Sequence, residues 1–185
     1  MSRHLVILDR DGVINHDSDA FIKSPEEWRP IKGSAEAIGK LTKAGFTVVV
    51  ASNQSGLGRN LLDRQTLDAI HRKMEKCVRD YGGAIDKIFF CPHRPDDGCV
   101  CRKPKPGLLL EAAQHYAMSL DGVPVIGDSL RDLDAALAVR ARPMLVLTGN
   151  GKATAAALAD QNREMEIFAD LADAATSLIA DSVAE

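Results

Sequence analysis

A doubly wound α/β domain, with a parallel sheet and helices on both faces, is the fold class this sequence predicts. Three observations predict it. Predominantly apolar runs of strand length recur at residues 5–8, 46–51, 85–90, 123–126 and 144–147, with a weaker one at 165–168. Such runs are too apolar for strands that face water on one side. Helix-period patterns fill the intervals, and strand–helix alternation builds a parallel sheet covered on both faces. Finally, reactive residues (Asp9, Ser52, Cys91 and Asp128) stand within two residues after four of the runs, at the carboxyl ends of strands where ligands bind in such sheets.

The elements follow in order. The run at 5–8 ends at once in Asp9. A helix opens near Ser34 and closes at Gly45, a residue suited to a helix end. The run at 46–51 leads into Ser52. The next helix carries Leu67, Ile70, Met74, Cys77, Val78 and Tyr81 on one face, so Cys77 is expected to be a buried helix residue. The run at 85–90 reaches Cys91. A third helix follows Pro106, which is well suited to a first turn, and a fourth begins after Asp128. Further helices surround the runs at 144–147 and 165–168. No internal repeat, low-complexity tract or linker interrupts the pattern, so residues 1–185 read as one domain, long enough to bury its own core.

With 23 basic and 26 acidic side chains mixed along 185 residues, the formal charge is −3. That balance offers no basic stripe to nucleic acid or an anionic membrane. No apolar stretch approaches membrane-spanning length, and the opening apolar run is too short for a secretory signal. The chain is therefore expected in the cytoplasm with a small-molecule partner. It is also expected to be a monomer, because it has no apolar heptad and no long exposed apolar strand.

The chemistry starts at Asp9-Arg10-Asp11-Gly12-Val13. Two carboxylates one residue apart at a strand end can face one cavity while Arg10 points away, and Gly12 lets the backbone turn sharply. One carboxylate can act as nucleophile and the other can shuttle a proton if a metal offsets their repulsion. Alone, the pattern equally describes an acidic turn. Ser52-Asn53-Gln54-Ser55-Gly56 presents a hydroxyl and backbone N–H groups to phosphate oxygens, or merely a cap and turn. Arg102 and Lys103 are cations suited to the charge of a phosphoryl transition state, or members of a solvated charged loop. Asp128 can add an oxygen ligand for magnesium, or cap a helix. Asp132, one helical turn on, reads as a helix N-terminal acid.

Cys91, His93, Cys99 and Cys101 put three thiolates and an imidazole into the loop 91–101. They are a complete tetrahedral zinc set with no position left for water, so the metal is expected to be structural. Thr148-Gly149-Asn150-Gly151-Lys152-Ala153 hints at a phosphate-binding loop, but it lacks the required glycine at Val146 and the hydroxyl at Ala153.

Taken together and in order, the Asp9, Ser52, Lys103 and Asp128 segments resemble the four motifs of the haloacid dehalogenase superfamily of phosphotransferases, over roughly residues 5–136. The resemblance implies that Asp9 is the nucleophile and Asp11 the general acid and base. It implies Ser52 and Lys103, joined by Arg102, as phosphate binders, and Asp9, Asp128 and the backbone carbonyl of Asp11 as Mg2+ ligands. The segments between motifs are too short for a large lid domain, which implies an open site closed only by loops. A Zn2+ loop directly before Arg102 is similar to the branch that dephosphorylates sugar bisphosphates and histidinol phosphate. The sugar-bisphosphate members fit better, which implies a phosphorylated sugar as substrate. By that analogy Asp17, Ser18, Asp19 and Ala20 lie over the substrate beside Asn53, Gln54 and Ser55, and Arg59 and Lys105 hold a second anionic group. Ser129 stands where some relatives carry a basic residue. Two non-enzyme readings compete: a signalling receiver domain, whose accepting aspartate closes the third strand, and a zinc-dependent interaction module, which leaves the carboxylates unexplained.

Overall fold

The computed structural model describes residues 4–184; the ends of the expected span, 1–3 and 185, lie outside them. Six parallel strands form one sheet: β1 (His4–Leu8), β2 (Phe46–Asn53), β3 (Lys87–Cys91), β4 (Pro124–Gly127), β5 (Arg142–Val146) and β6 (Glu166–Phe168). Their spatial order is β3-β2-β1-β4-β5-β6, so the winding reverses between β1 and β4. There Ile7 pairs with Val125 and Leu8 with Ile126.

Strand alternation assigns side chains to two cores. Val6, Leu8, Val48 and Val50 face α1 (Ser34–Lys43), α3 (Arg64–Asp80) and α7 (Leu171–Ala184), through Ile38, Leu41, Ile70, Met74 and Leu178. Leu5, Ile7, Val49 and Ala51 face α4 (Gly107–Tyr116) and α5 (Leu130–Ala138), through Leu108, Leu109, Ala112 and Ala135. Helix α6 (Gly151–Asp160) packs Leu158 against Leu133 and Leu145. With every central strand buried on both sides, the continuous apolar runs are accounted for.

Several boundaries differ from the sequence expectation. Strand β2 continues to Asn53, because Ser52 and Asn53 still pair with Phe90 and Cys91; polar side chains do not end a strand while a neighbour supplies its ladder. Strand β3 starts only at Lys87, and β5 already at Arg142, which pairs with Pro124. A short helix, α2 (Ser55–Gly58), follows β2. Helix α3 is capped by Asp63, whose carboxylate accepts from the Thr66 N–H at 2.7 Å. It stops at Asp80, which leaves Tyr81 exposed and Cys77 only half-buried. The long apolar face therefore ends about one turn earlier than its period suggests.

Candidate active site

The sheet's winding reversal opens a cleft, and the termini of β1, β2 and β4 line it. Asp9 follows β1 and is tied in by its N–H, which donates to Ile126 O at 2.9 Å. Asp128 follows β4. The cleft is also lined by Asp11, Asp17, Ser18, Asn53, Gln54, Ser55, Arg102, Lys103 and Asp132. Asp19, Ala20 and Arg59 do not line it; Ala20 borders a shallower hollow beside it.

Lys103 is the hub. Its side chain is buried, and its ammonium donates to Asp9 Oδ1 (3.0 Å) and Ala51 O (2.8 Å) and pairs with Asp132 Oδ1 at 2.6 Å. Burial alone would lower this ammonium's pKa, but Asp132 and Asp9 override it and hold Lys103 above the ordinary lysine value. Its backbone is clamped by Asn53, whose amide accepts from the Lys103 N–H and donates to the Lys103 carbonyl, each at 3.1 Å. The Asn53 side chain, expected on the substrate, is thus engaged in placing Lys103.

Asp9, Asp128 and Asp132 bring carboxylate oxygens within 4.8 Å of one another. Burial first, then the Asp132 charge, raises the Asp9 carboxyl well above the usual carboxylate range. Burial pushes Asp128 up to about 6 despite the Asn150 N–H it accepts at 2.7 Å. Burial works on Asp132 in the same direction, but Lys103 and Ser129 override it and hold its pKa below the ordinary value. Two buried carboxylates and the part-buried Asp9, against one ammonium, leave negative charge that a divalent cation with oxygen ligands fits. The space around Asp128 is tight: a Cβ on Gly12 or on Gly149 would collide with its Oδ2.

Asp132 is the residue the sequence reading undervalued. Its helix-acid reading is half right, since it closes a capping box with Ser129, accepting from the Ser129 N–H at 3.1 Å and Oγ at 2.7 Å. Ser129, and not Asp128, caps α5. The same carboxylate also binds Lys103, and only the packing of α5 against the loop after Cys101 creates that contact. The Thr148–Asn150 stretch, rejected as a phosphate loop, proves to be a brace. Thr148 Oγ1 donates to Gly12 O at 2.6 Å, and Asn150 Nδ2 donates to Asp128 Oδ2 (3.2 Å) and Asp17 Oδ2 (3.3 Å).

Asp11 differs from expectation too. Its side chain lies outside the carboxylate cluster and accepts from Arg10 Nε (3.0 Å), Asn15 Nδ2 (2.8 Å) and Gln54 Nε2 (2.9 Å). Arg10 does not point away. The tight turn after it, with Ile14 N–H donating to Arg10 O at 2.8 Å, folds its side chain under the loop, where it is buried. Ser52 is 1% exposed and lies beneath the cleft surface, its Oγ accepting from Gln54 Nε2 at 2.7 Å. Lys105 donates to Cys99 O at 2.7 Å and does not line the cleft.

Beside the cleft, Cys91, His93, Cys99 and Cys101 converge as expected: Cys91 Sγ lies 3.2 Å from Cys101 Sγ and 3.6 Å from both Cys99 Sγ and His93 Nδ1. Ligands about 2.3 Å from a tetrahedral zinc stand roughly 3.8 Å apart, so the set can hold a metal ion with little adjustment. Burial, then contact with the Cys101 thiol, pushes Cys91 up to about 12; a bound cation reverses that cost by stabilising thiolate.

The match to the polynucleotide kinase 3 phosphatase family model covers residues 5–129, and the match to the HAD-hydrolase-like model covers residues 100–174. The D-glycero-β-D-manno-heptose-1,7-bisphosphate 7-phosphatase of Bordetella bronchiseptica is 58% identical over 82% of this chain and 85% of its own length. The Pseudomonas aeruginosa protein of the same name is 50% identical over 97% and 99%. A crystal structure of the B. bronchiseptica D,D-heptose 1,7-bisphosphate phosphatase with magnesium and phosphate superposes with a TM-score of 0.91 and 52% identity, over 96% of this chain and 98% of that one. Both the receiver reading, which needs its aspartate after the third strand, and the bare zinc-module reading fall. The chain belongs to the haloacid dehalogenase-like phosphatases and, within them, to the D-glycero-β-D-manno-heptose-1,7-bisphosphate 7-phosphatase family.

Proposed function

We propose that the chain hydrolyses the 7-phosphate of D-glycero-β-D-manno-heptose 1,7-bisphosphate through a phosphorylated Asp9, on the way to the ADP-heptose of lipopolysaccharide core. The observation that carries this reading is the part-buried Asp9 at the winding reversal, bonded to Lys103 and beside two further carboxylates.

In this reading an Asp9 oxygen attacks phosphorus, the bond from phosphorus to the sugar oxygen breaks, and Asp11 protonates that oxygen. Water then attacks the acyl phosphate and gives its proton to Asp11, and the bond from phosphorus to Asp9 breaks, restoring the carboxylate and releasing phosphate. To serve both steps, Asp11 exchanges its Arg10 and Gln54 contacts for the reacting oxygen. Lys103 meets the phosphoryl oxygens as charge develops, Arg102 meets the substrate's other phosphate, and Asp132 holds the Lys103 ammonium in place. Ser52 acts through Gln54. Asp9, Asp128 and the Asp11 carbonyl would hold magnesium, which offsets carboxylate repulsion and stabilises phosphoryl charge. Asp17 and Ser18 border the sugar. Cys91, His93, Cys99 and Cys101 hold a structural zinc, the ion their soft donors suit, which orders the loop leading to Arg102. A single domain over residues 1–185, acting as a monomer in the cytoplasm, completes the reading: both cores share one sheet, one chain supplies the whole cleft, and a reducing compartment keeps the thiols available.

The test is phosphate release from heptose 1,7-bisphosphate and from histidinol phosphate, with and without magnesium, with 31P NMR of the product. Magnesium-dependent release with retention of the 1-phosphate is expected. Equal efficiency on the two substrates, or loss of the 1-phosphate, would overturn the assignment.

A further inference from the structure

The cleft has two charge zones. At its floor Lys103 is matched by Asp9 and Asp132. At its rim stand two arginines without carboxylate partners. Arg131, in the first turn of α5, is exposed and lines the cleft. Among the described residues no hydrogen bond or ion pair holds its guanidinium. Arg102 lines the same cleft and donates only to a main-chain carbonyl, His93 O, at 3.3 Å. Both arginine side chains thus border one cavity, the cleft that also holds Asp9. Like charges turned into one cavity repel in the free protein, and an anion between them converts that repulsion into two charge-assisted contacts. The other cations are less well placed: Lys105 is engaged by Cys99 O, and Arg59 lies over the Phe21 ring at 5.6 Å. The reacting phosphoryl group belongs at Asp9 on the floor, so an anion at the rim is a second group on the same substrate.

We propose that Arg131, together with Arg102, forms a second anion subsite at the cleft rim, which holds the phosphate that is not cleaved and selects bisphosphates over monophosphates. The subsite rests on the sugar-bisphosphate reading above and replaces Arg59 and Lys105 as the source of selectivity. Arg131→Ala and Arg131→Lys should be compared with wild type on heptose 1,7-bisphosphate and on the same heptose carrying only the 7-phosphate. Loss of one charge-assisted contact predicts that the bisphosphate-to-monophosphate ratio of kcat/KM falls on the order of tenfold in Arg131→Ala. The fall should come mainly through KM, and Arg131→Lys should recover part of it. An unchanged ratio, including equal losses on both substrates, would overturn the subsite. Failure of the heptose assignment is seen separately, in wild type alone. The same ratio measured with fructose 1,6-bisphosphate against fructose 6-phosphate then still decides the subsite.

Discussion

At the scale of single residues, the site turns on how buried charges are matched. Lys103 is 4% exposed and Asp132 2%, and an ion pair so far from water is costly to break on one side only. Asp132→Asn keeps the shape and the Ser129 cap but removes the charge that faces Lys103. A charge-assisted bond is worth roughly 1.5–3 kcal/mol, so kcat is expected to fall on the order of tenfold to a hundredfold, with the far-ultraviolet spectrum unchanged. Steady-state kinetics with magnesium check this, and a near-normal kcat would remove Asp132 from the machinery. This is also where the sequence was least legible. Asp9, Asp11, Lys103 and Asp128 could be found because each follows a strand or belongs to a recognisable string. Asp132 and Arg131 sit on helix α5, where an acid or a cation has an ordinary explanation until the helix is docked.

At the scale of elements, the metal loop and the catalytic loop are one piece of chain. Only Arg102 separates Lys103 from the ligand Cys101, and the Arg102 guanidinium reaches back to the carbonyl of the ligand His93. The loop has few apolar side chains to order it, and its Val100 is 77% exposed. A metal held by the four Cys and His side chains would supply what a core does elsewhere. Cys99→Ser should lower Tm by several degrees and reduce kcat/KM, because Arg102 and Lys103 lose their anchor. Thermal denaturation and metal analysis of purified protein check it: full stability and activity in a protein with no bound zinc would show that the loop needs no metal. The Cys/His cluster was legible because thiols and imidazole in two tight pairs have few other uses. The orientation of Arg10 was not, since a turn between residues 10 and 15 decides which way it faces.

At the scale of the whole molecule, the fold concentrates negative charge at its winding reversal and leaves a cation to offset it. Asp128 has a folded pKa of about 6 against an ordinary value of 3.8. A carboxylate raised on folding binds its proton more tightly in the native state, so its contribution to stability grows as pH falls from about 6 towards 4 and is absent above. His71 opposes it in an overlapping window. Burial, then Arg10, lowers it to about 4 from 6.5, so the stability it adds is full above 6.5 and is lost as pH falls towards 4. The two slopes blur in a plain pH–stability curve, but the magnesium-induced rise in Tm isolates the carboxylates proposed to hold the ion, Asp128 and Asp9, since protons compete with the ion there. That rise should be large at pH 7.5 and shrink steadily between pH 7 and 5. A magnesium shift independent of pH across this range would mean that neither Asp128 nor Asp9 ligates the ion.

Sequence alone determined the fold class, the strand-end positions of Asp9 and Asp128, and the four side chains that cluster in the loop 91–101. Each of these depends on local pattern: apolar period, residue type and spacing act over a few residues and are written in order along the chain. Tertiary structure decided that Asp132 pairs with Lys103, that Asn150 braces Asp128, that Asp11 rests on Arg10, and that Arg131 shares a rim with Arg102. These contacts join segments far apart in the chain or turn on side-chain direction. Nothing in composition or spacing encodes which carboxylate an ammonium will meet once helices dock on a twisted sheet.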